Sequence, residues 1–152
     1  MTDALKLRSN MIAGIIQGTE KPAAAILRLQ ANSSPSGLKI DHDAELAFAA
    51  IDIGQRLIAA GKPIEAELFF RLAEKSLVIM TNKTPDTAAS EKGQYLSHLA
   101  LIRTHYLNNA AQAKLDLDAA QKLLPGDKYL DSLRSALGSQ HGDVFNANPA
   151  KN

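Results

Sequence analysis

Cysteine and tryptophan are both missing from this 152-residue chain, and aromatic residues make up only 5% of it. Without cysteine there is no disulfide, no thiolate nucleophile and no thiolate-bound metal, although compartment is not settled by that. So few aromatics leave little from which to build a base-stacking platform. Neither sign of charge dominates: 17 Lys and Arg stand against 16 Asp and Glu, well mixed, for a net charge of +1. Binding driven by counterion release needs a basic stripe, so no nucleic-acid partner is expected. No apolar run approaches the ~20 residues that cross a bilayer, so no membrane partner is expected either. The longest such stretch near the N-terminus, Met11 to Ile16, is interrupted by Gly14. It falls short of a secretory h-region of about 7–15 apolar residues. The compartment stays open, the cytoplasm by default, or periplasmic or secreted had a leader been removed.

What the chain does contain suits one globular domain: 45% apolar residues and 22% charged ones. Chains of this length bury a core of ordinary size. Apolar spacing is helical throughout, which makes the expected fold class all-α, with about seven helices. Leu5, Ile12, Ile15 and Ile16 predict an amphipathic helix over 3–17, ended by Gly18. Pro22 opens a second helix that carries on to Gln30, and 32–37 reads as a loop. Asp41 or Asp43 can cap the third helix, which runs to about Ala60 and stops at Gly61. This helix is apolar on two faces, one with Leu46, Ala50, Ile53 and Leu57, the other with Phe48, Ile51 and Ile58, so it should be sandwiched. A fourth helix is expected from Ile64 to Met80, followed by a connector over 81–84.

Thr84-Pro85-Asp86 reads as the start of a long fifth helix reaching about Leu107, with Gly93 as a weak point and the alternative start. Asn108-Asn109 turns the chain, and a sixth helix over 110–124 stops before Pro125-Gly126. Asp127 then caps a last short helix with Leu130, Leu133 and Leu137 on one face, and a polar tail over 138–152 is expected to be disordered.

Two stretches repeat a pattern. Gly61, Ala66, Phe70 and Ala73 align with Asn108, Ala113, Leu117 and Ala120 at a separation of 47 residues. Pro22, Ala25 and Leu29 match Pro63, Ala66 and Phe70 as a weaker copy 41 residues upstream. With Gly54 in the first unit and Leu107 and Pro125 in the second, the pattern resembles the tetratricopeptide repeat (TPR) family. The resemblance covers roughly residues 44–127. Spacing is longer than the family's roughly 34 residues, Val78 stands where its proline would fall, and the second unit lacks its glycine. A plain antiparallel helical bundle with small residues at its crossings is the competing expectation. The resemblance implies one TPR-like domain over 1–137: a degenerate hairpin at 1–37, repeats at 41–81 and 84–125, and a terminal helix at 127–137.

It also implies a function: the inner face of each first helix would bind a peptide or protein partner. Those positions are Phe48, Ile51, Gln55 and Ile58, with Asp52, in the first unit. In the second they are Tyr95, His98, Ile102, His105 and Tyr106, with Leu99. The Lys, Arg and Asn clamp that chaperone-tail binders of this family use is not found at the matching places. The groove is therefore expected to be apolar, and either open to a partner, covered by a second copy in a homodimer, or covered by the chain's own first helix.

Chemistry finds little to stand on. His98 and His105 lie two helical turns apart, ~10.5 Å along the axis, too far for one zinc ion to take both unaided. Gly54 to Lys62 lacks the spacing of a phosphate loop, and no nucleophile elbow occurs. No cofactor, metal or catalytic residue is expected, and the chain is read as non-enzymatic. Asp116 and Asp118 alternate with Leu115 and Leu117, which predicts a solvated flank. Asn32-Ser33-Ser34 and Asn82-Lys83-Thr84 match weak glycosylation sequons.

Overall fold

Ala25, Ala66 and Ala113 set the phase of the whole chain. In the computed structural model, which describes residues 3–32 and 42–146, each of them is fully buried in the first turn of a helix. The described residues form α1 (Asp3–Gln17), α2 (Pro22–Asn32), α3 (His42–Ala59), α4 (Pro63–Lys83), α5 (Ala89–His105), α6 (Ala110–Leu123) and α7 (Lys128–Asn146), with no strand among them. The all-α expectation is met. Helices α2, α4 and α6 each begin three residues before their alanine. That alanine's N–H closes the first turn onto Lys21, Lys62 or Asn109, at 3.1, 3.0 and 3.0 Å. Four residues further on, Leu29, Phe70 and Leu117 are buried as well.

The chain divides into two compact units, Met1–Ile79 and Met80–Asn152. In the first, α1 packs on α3 and α2. Met11, Ile12 and Ile15 are its buried side, and Arg8 donates to Asp52 of α3 at 3.3 Å. Helix α3 meets α4 closely at Gly54: a Cβ there would lie 2.7 Å from the tip of the Phe70 ring. Between them, Gly61 takes a positive φ of 78°, Lys62 N–H bonds the Leu57 carbonyl at 2.8 Å, and Gly61 N–H bonds that of Ile58 at 3.0 Å. This left-handed reversal satisfies two orphan carbonyls of α3 and is the stop that the sequence signals.

In the second unit α5, α6 and α7 pack on one another. Leu96 and Ala100 of α5, Ala113, Leu117 and Ala120 of α6, and Leu130, Leu133 and Leu137 of α7 form its core. Asn108 stands 47 residues after Gly61 and adopts the same left-handed conformation, at φ 51°. Asparagine is one of the few side chains to tolerate it. Its neighbour Asn109 caps α6, accepting the Gln112 N–H at 3.3 Å. Asp127 caps α7 as expected, with Oδ1 accepting from Tyr129 N–H at 2.8 Å and Leu130 N–H at 3.3 Å.

Several boundaries differ from the sequence expectation. Residues 81–83 are the last turn of α4 rather than a connector, and Thr84 closes that turn by donating its hydroxyl to the Met80 carbonyl at 2.6 Å. Thr84 therefore ends α4 and does not cap α5, which starts at Ala89 with no side-chain cap on Ala88. Asp86 is bonded instead to Lys92 at 2.7 Å. Gly93 is not a helix start. It lies buried inside α5, where a Cβ would come 2.5 Å from Leu124. Asp43 falls in the first turn of α3, and Asp41 and the loop after Asn32 lie outside the described residues. Helix α7 runs past Gly138 to Asn146, so 138–146 is helical where a disordered tail was expected, and 147–152 lies outside the described residues.

Because Phe70 is buried and cannot swing away, Gly54→Ala should destabilise by about 1–3 kcal/mol, although alanine is the better helix former. Urea denaturation followed by circular dichroism measures this, and an unchanged midpoint would contradict the close crossing.

Candidate functional site

The positions read as a partner-binding face repeat along the chain like the rest of the hairpin. Phe48, Ile51, Gln55 and Ile58 on α3 are followed 47 residues later by Tyr95, His98, Ile102 and His105 on α5. Steps of three, four and three place each set along one side of its helix. Burial divides them. Ile51 is 7% exposed and Ile102 fully buried, so both belong to the core and offer no surface. Phe48 and Ile58 are each 40% exposed, and Gln55 and His105 are exposed too. Tyr95, His98 and Tyr106 are half-buried.

On α3, Asp52 shares this side, and its two carboxylate oxygens are taken by Arg8 of α1 at 3.3 Å and Arg56 of α3 at 3.1 Å. The first helix thus reaches the face at Asp52 and leaves Phe48 and Ile58 partly at the surface. On α5, His98 Nδ1 lies 2.8 Å from the Gln94 carbonyl one turn back, a contact that requires the proton on Nδ1. The His105 and Tyr106 rings are tilted neighbours at 6.1 Å. These are interhelical and local contacts of ordinary kind. Among the described residues no group of three His, Asp or Glu is placed to hold a metal ion, and no helix is long and apolar enough to cross a membrane.

The most unusual chemistry lies elsewhere. Arg103 of α5 and Asp116 of α6 are 8% and 4% exposed. Arg103 Nη1 donates to both carboxylate oxygens, at 3.0 and 2.8 Å, and Gln112 Nε2 donates to Oδ1 at 3.3 Å. Asp116 is therefore not on a solvated flank: position 116 faces α5, and only its pairing makes a carboxylate tolerable there. Asp118 does lie at the surface, where it accepts from Arg134 of α7 at 2.8 Å. That arginine also reaches Gln121 at 2.6 Å. Sequence spacing could have found Asp116, since it sits three residues after buried Ala113 and four before buried Ala120, on the inward side of α6.

Tyr129, which no motif singled out, is half-exposed beside the cap of α7. Burial pushes its phenol above the ordinary tyrosine value, with Tyr106 and Asp127 adding in the same direction. A phenol whose pKa is raised by folding lends stability that is full below the unfolded value of 10.0 and is lost as pH rises through the folded one. The Tyr129→Phe variant should accordingly lose less stability than the parent between about pH 9 and 12, in urea midpoints taken at each pH.

Breaking the buried pair should be costly. Asp116→Ala leaves an uncompensated guanidinium and is expected to lose about 3–5 kcal/mol. Asp118→Ala, at the surface, should lose under about 1 kcal/mol. Equal losses in the two variants would contradict the burial described. No protein-family model, curated protein or solved structure matches this chain.

Proposed function

We propose that this chain is a non-catalytic protein-interaction module of TPR-like helical hairpins that binds a peptide or protein segment along the outward side of α3. One observation carries the reading. Helices α2, α4 and α6 start in the same phase, each three residues before a buried alanine and seven before a buried Leu or Phe. Repetition of one hairpin plan in a chain is the mark of helical-repeat architecture, whose first helices offer side chains for recognition. The Schellman turn at Gly61 and the left-handed Asn108 at the matching place support the same plan.

Within the proposed face, recognition falls to Phe48 and Ile58, which keep apolar surface, with Gln55 between them supplying a polar contact. Ile51, buried on the same side of α3, acts from below by holding the face in shape. Burial of an aromatic anchor is the usual source of affinity in such contacts. Fold alone does not assign a function, so the test is a binding one.

Affinity capture from the native source, with the bound species identified and its Kd measured, is compared between the parent chain and the variants Phe48→Glu and Ile58→Lys. Circular dichroism checks that both variants remain folded. The expected result is a loss of affinity of tenfold or more, about 1.4 kcal/mol, in each folded variant. Unchanged affinity in both would move the site off α3, and recovery of the chain itself as the bound species would favour self-assembly over a foreign partner.

A further inference from the structure

One difference between the two well-matched hairpins is a matter of charge inside the helix pair. Arg56 and Phe69 of the first stand 47 residues before Arg103 and Asp116 of the second. In the first hairpin Phe69 is fully buried, while Arg56 points to the surface, its side chain 49% exposed and bonded to Asp52. In the second, the arginine turns inward and the aromatic is replaced by the carboxylate that receives it.

We infer that the Arg103–Asp116 pair is a pairing-specificity device, which directs α5 to α6 and keeps the two similar hairpins from exchanging helices during folding. A chain with two hairpins built on one plan has a competing wrong fold when collapse precedes closure of the short turns at 60–62 and 106–109, one in which α3 takes α6 and α5 is left with α4. In that arrangement Arg103 lies opposite Phe69, and a buried guanidinium has no carboxylate. A meeting of Arg56 with Asp116 on the other side does not help, because both mispairings arise together. A buried charge without its partner is among the most costly errors a fold can contain. A buried ion pair, by contrast, adds little net stability over apolar residues of similar volume, so its value lies in what it forbids. The inference rests on the equivalence of the hairpins and is independent of whether the α3 face binds a partner.

The test compares the apolar double variant Arg103→Met/Asp116→Leu with the parent chain and with Asp116→Ala. Each is unfolded in urea, refolded by dilution, and followed by amide NMR and refolding kinetics. The double variant is expected to keep or raise the urea midpoint, yet to refold to a mixture, seen as a second set of amide resonances and an added slow phase. Two results would overturn the inference. One is refolding to a single species at the parent's rate. The other is a loss of stability in the double variant as large as in Asp116→Ala, or failure to fold, since the pair would then be holding the hairpin together and not sorting it.

Discussion

Close approach of paired helices is the constraint from which the rest of the structure follows. Where α3 meets α4 there is no room for even a methyl group on Gly54, and where α5 meets the end of α6 there is none on Gly93. Backbones this near force small residues at the crossing and let a single large side chain, Phe70 or Leu124, fill the notch. The turn that joins the helices must then be short, which is why Gly61 and Asn108 adopt a left-handed conformation. Position of the crossing fixes the phase of each second helix, and phase decides which side chains face inward. Even the buried ion pair depends on this, because Asp116 is inside only as a consequence of where Ala113 sits.

Much of this could be read from the residues. Gly18, Gly61 and Asn108-Asn109 mark real chain reversals, and the alanine spacing locates the helices correctly because it reports steric necessity. Asp127 is a cap because its side chain has no better use at the first turn of α7. Other features were hidden by context. Thr84-Pro85-Asp86 has the composition of a helix start, but the threonine hydroxyl had a carbonyl of the preceding turn within reach and closed that helix instead. Gly93 looks like a breaker in isolation, and only the neighbouring Leu124 explains it.

The candidate face was legible as a pattern and not as a surface. Helical spacing puts Phe48, Ile51, Gln55 and Ile58 on one side of α3, but it cannot tell a residue at the centre of a packed face from one at its rim. Ile51 and Ile102 turned out to lie inside and Phe48 and Ile58 at the edge. The misreading of Asp116 has the same root. Alternation with leucines suggests a flank, whereas burial depends on which helix lies opposite and on whether an arginine there can neutralise the charge.

The end of α4 has a consequence for timing. Asn82 and Lys83 are wound into its last turn and the Thr84 hydroxyl is already engaged by Met80, so the Asn82-Lys83-Thr84 sequence is sealed once the helix forms. An enzyme that transfers a glycan to asparagine must bind this tripeptide unwound, with the hydroxyl available. Were the chain ever to pass through a secretory compartment, a sugar at Asn82 would have to be attached while the polypeptide is still emerging, and its presence or absence would record how quickly α4 had closed.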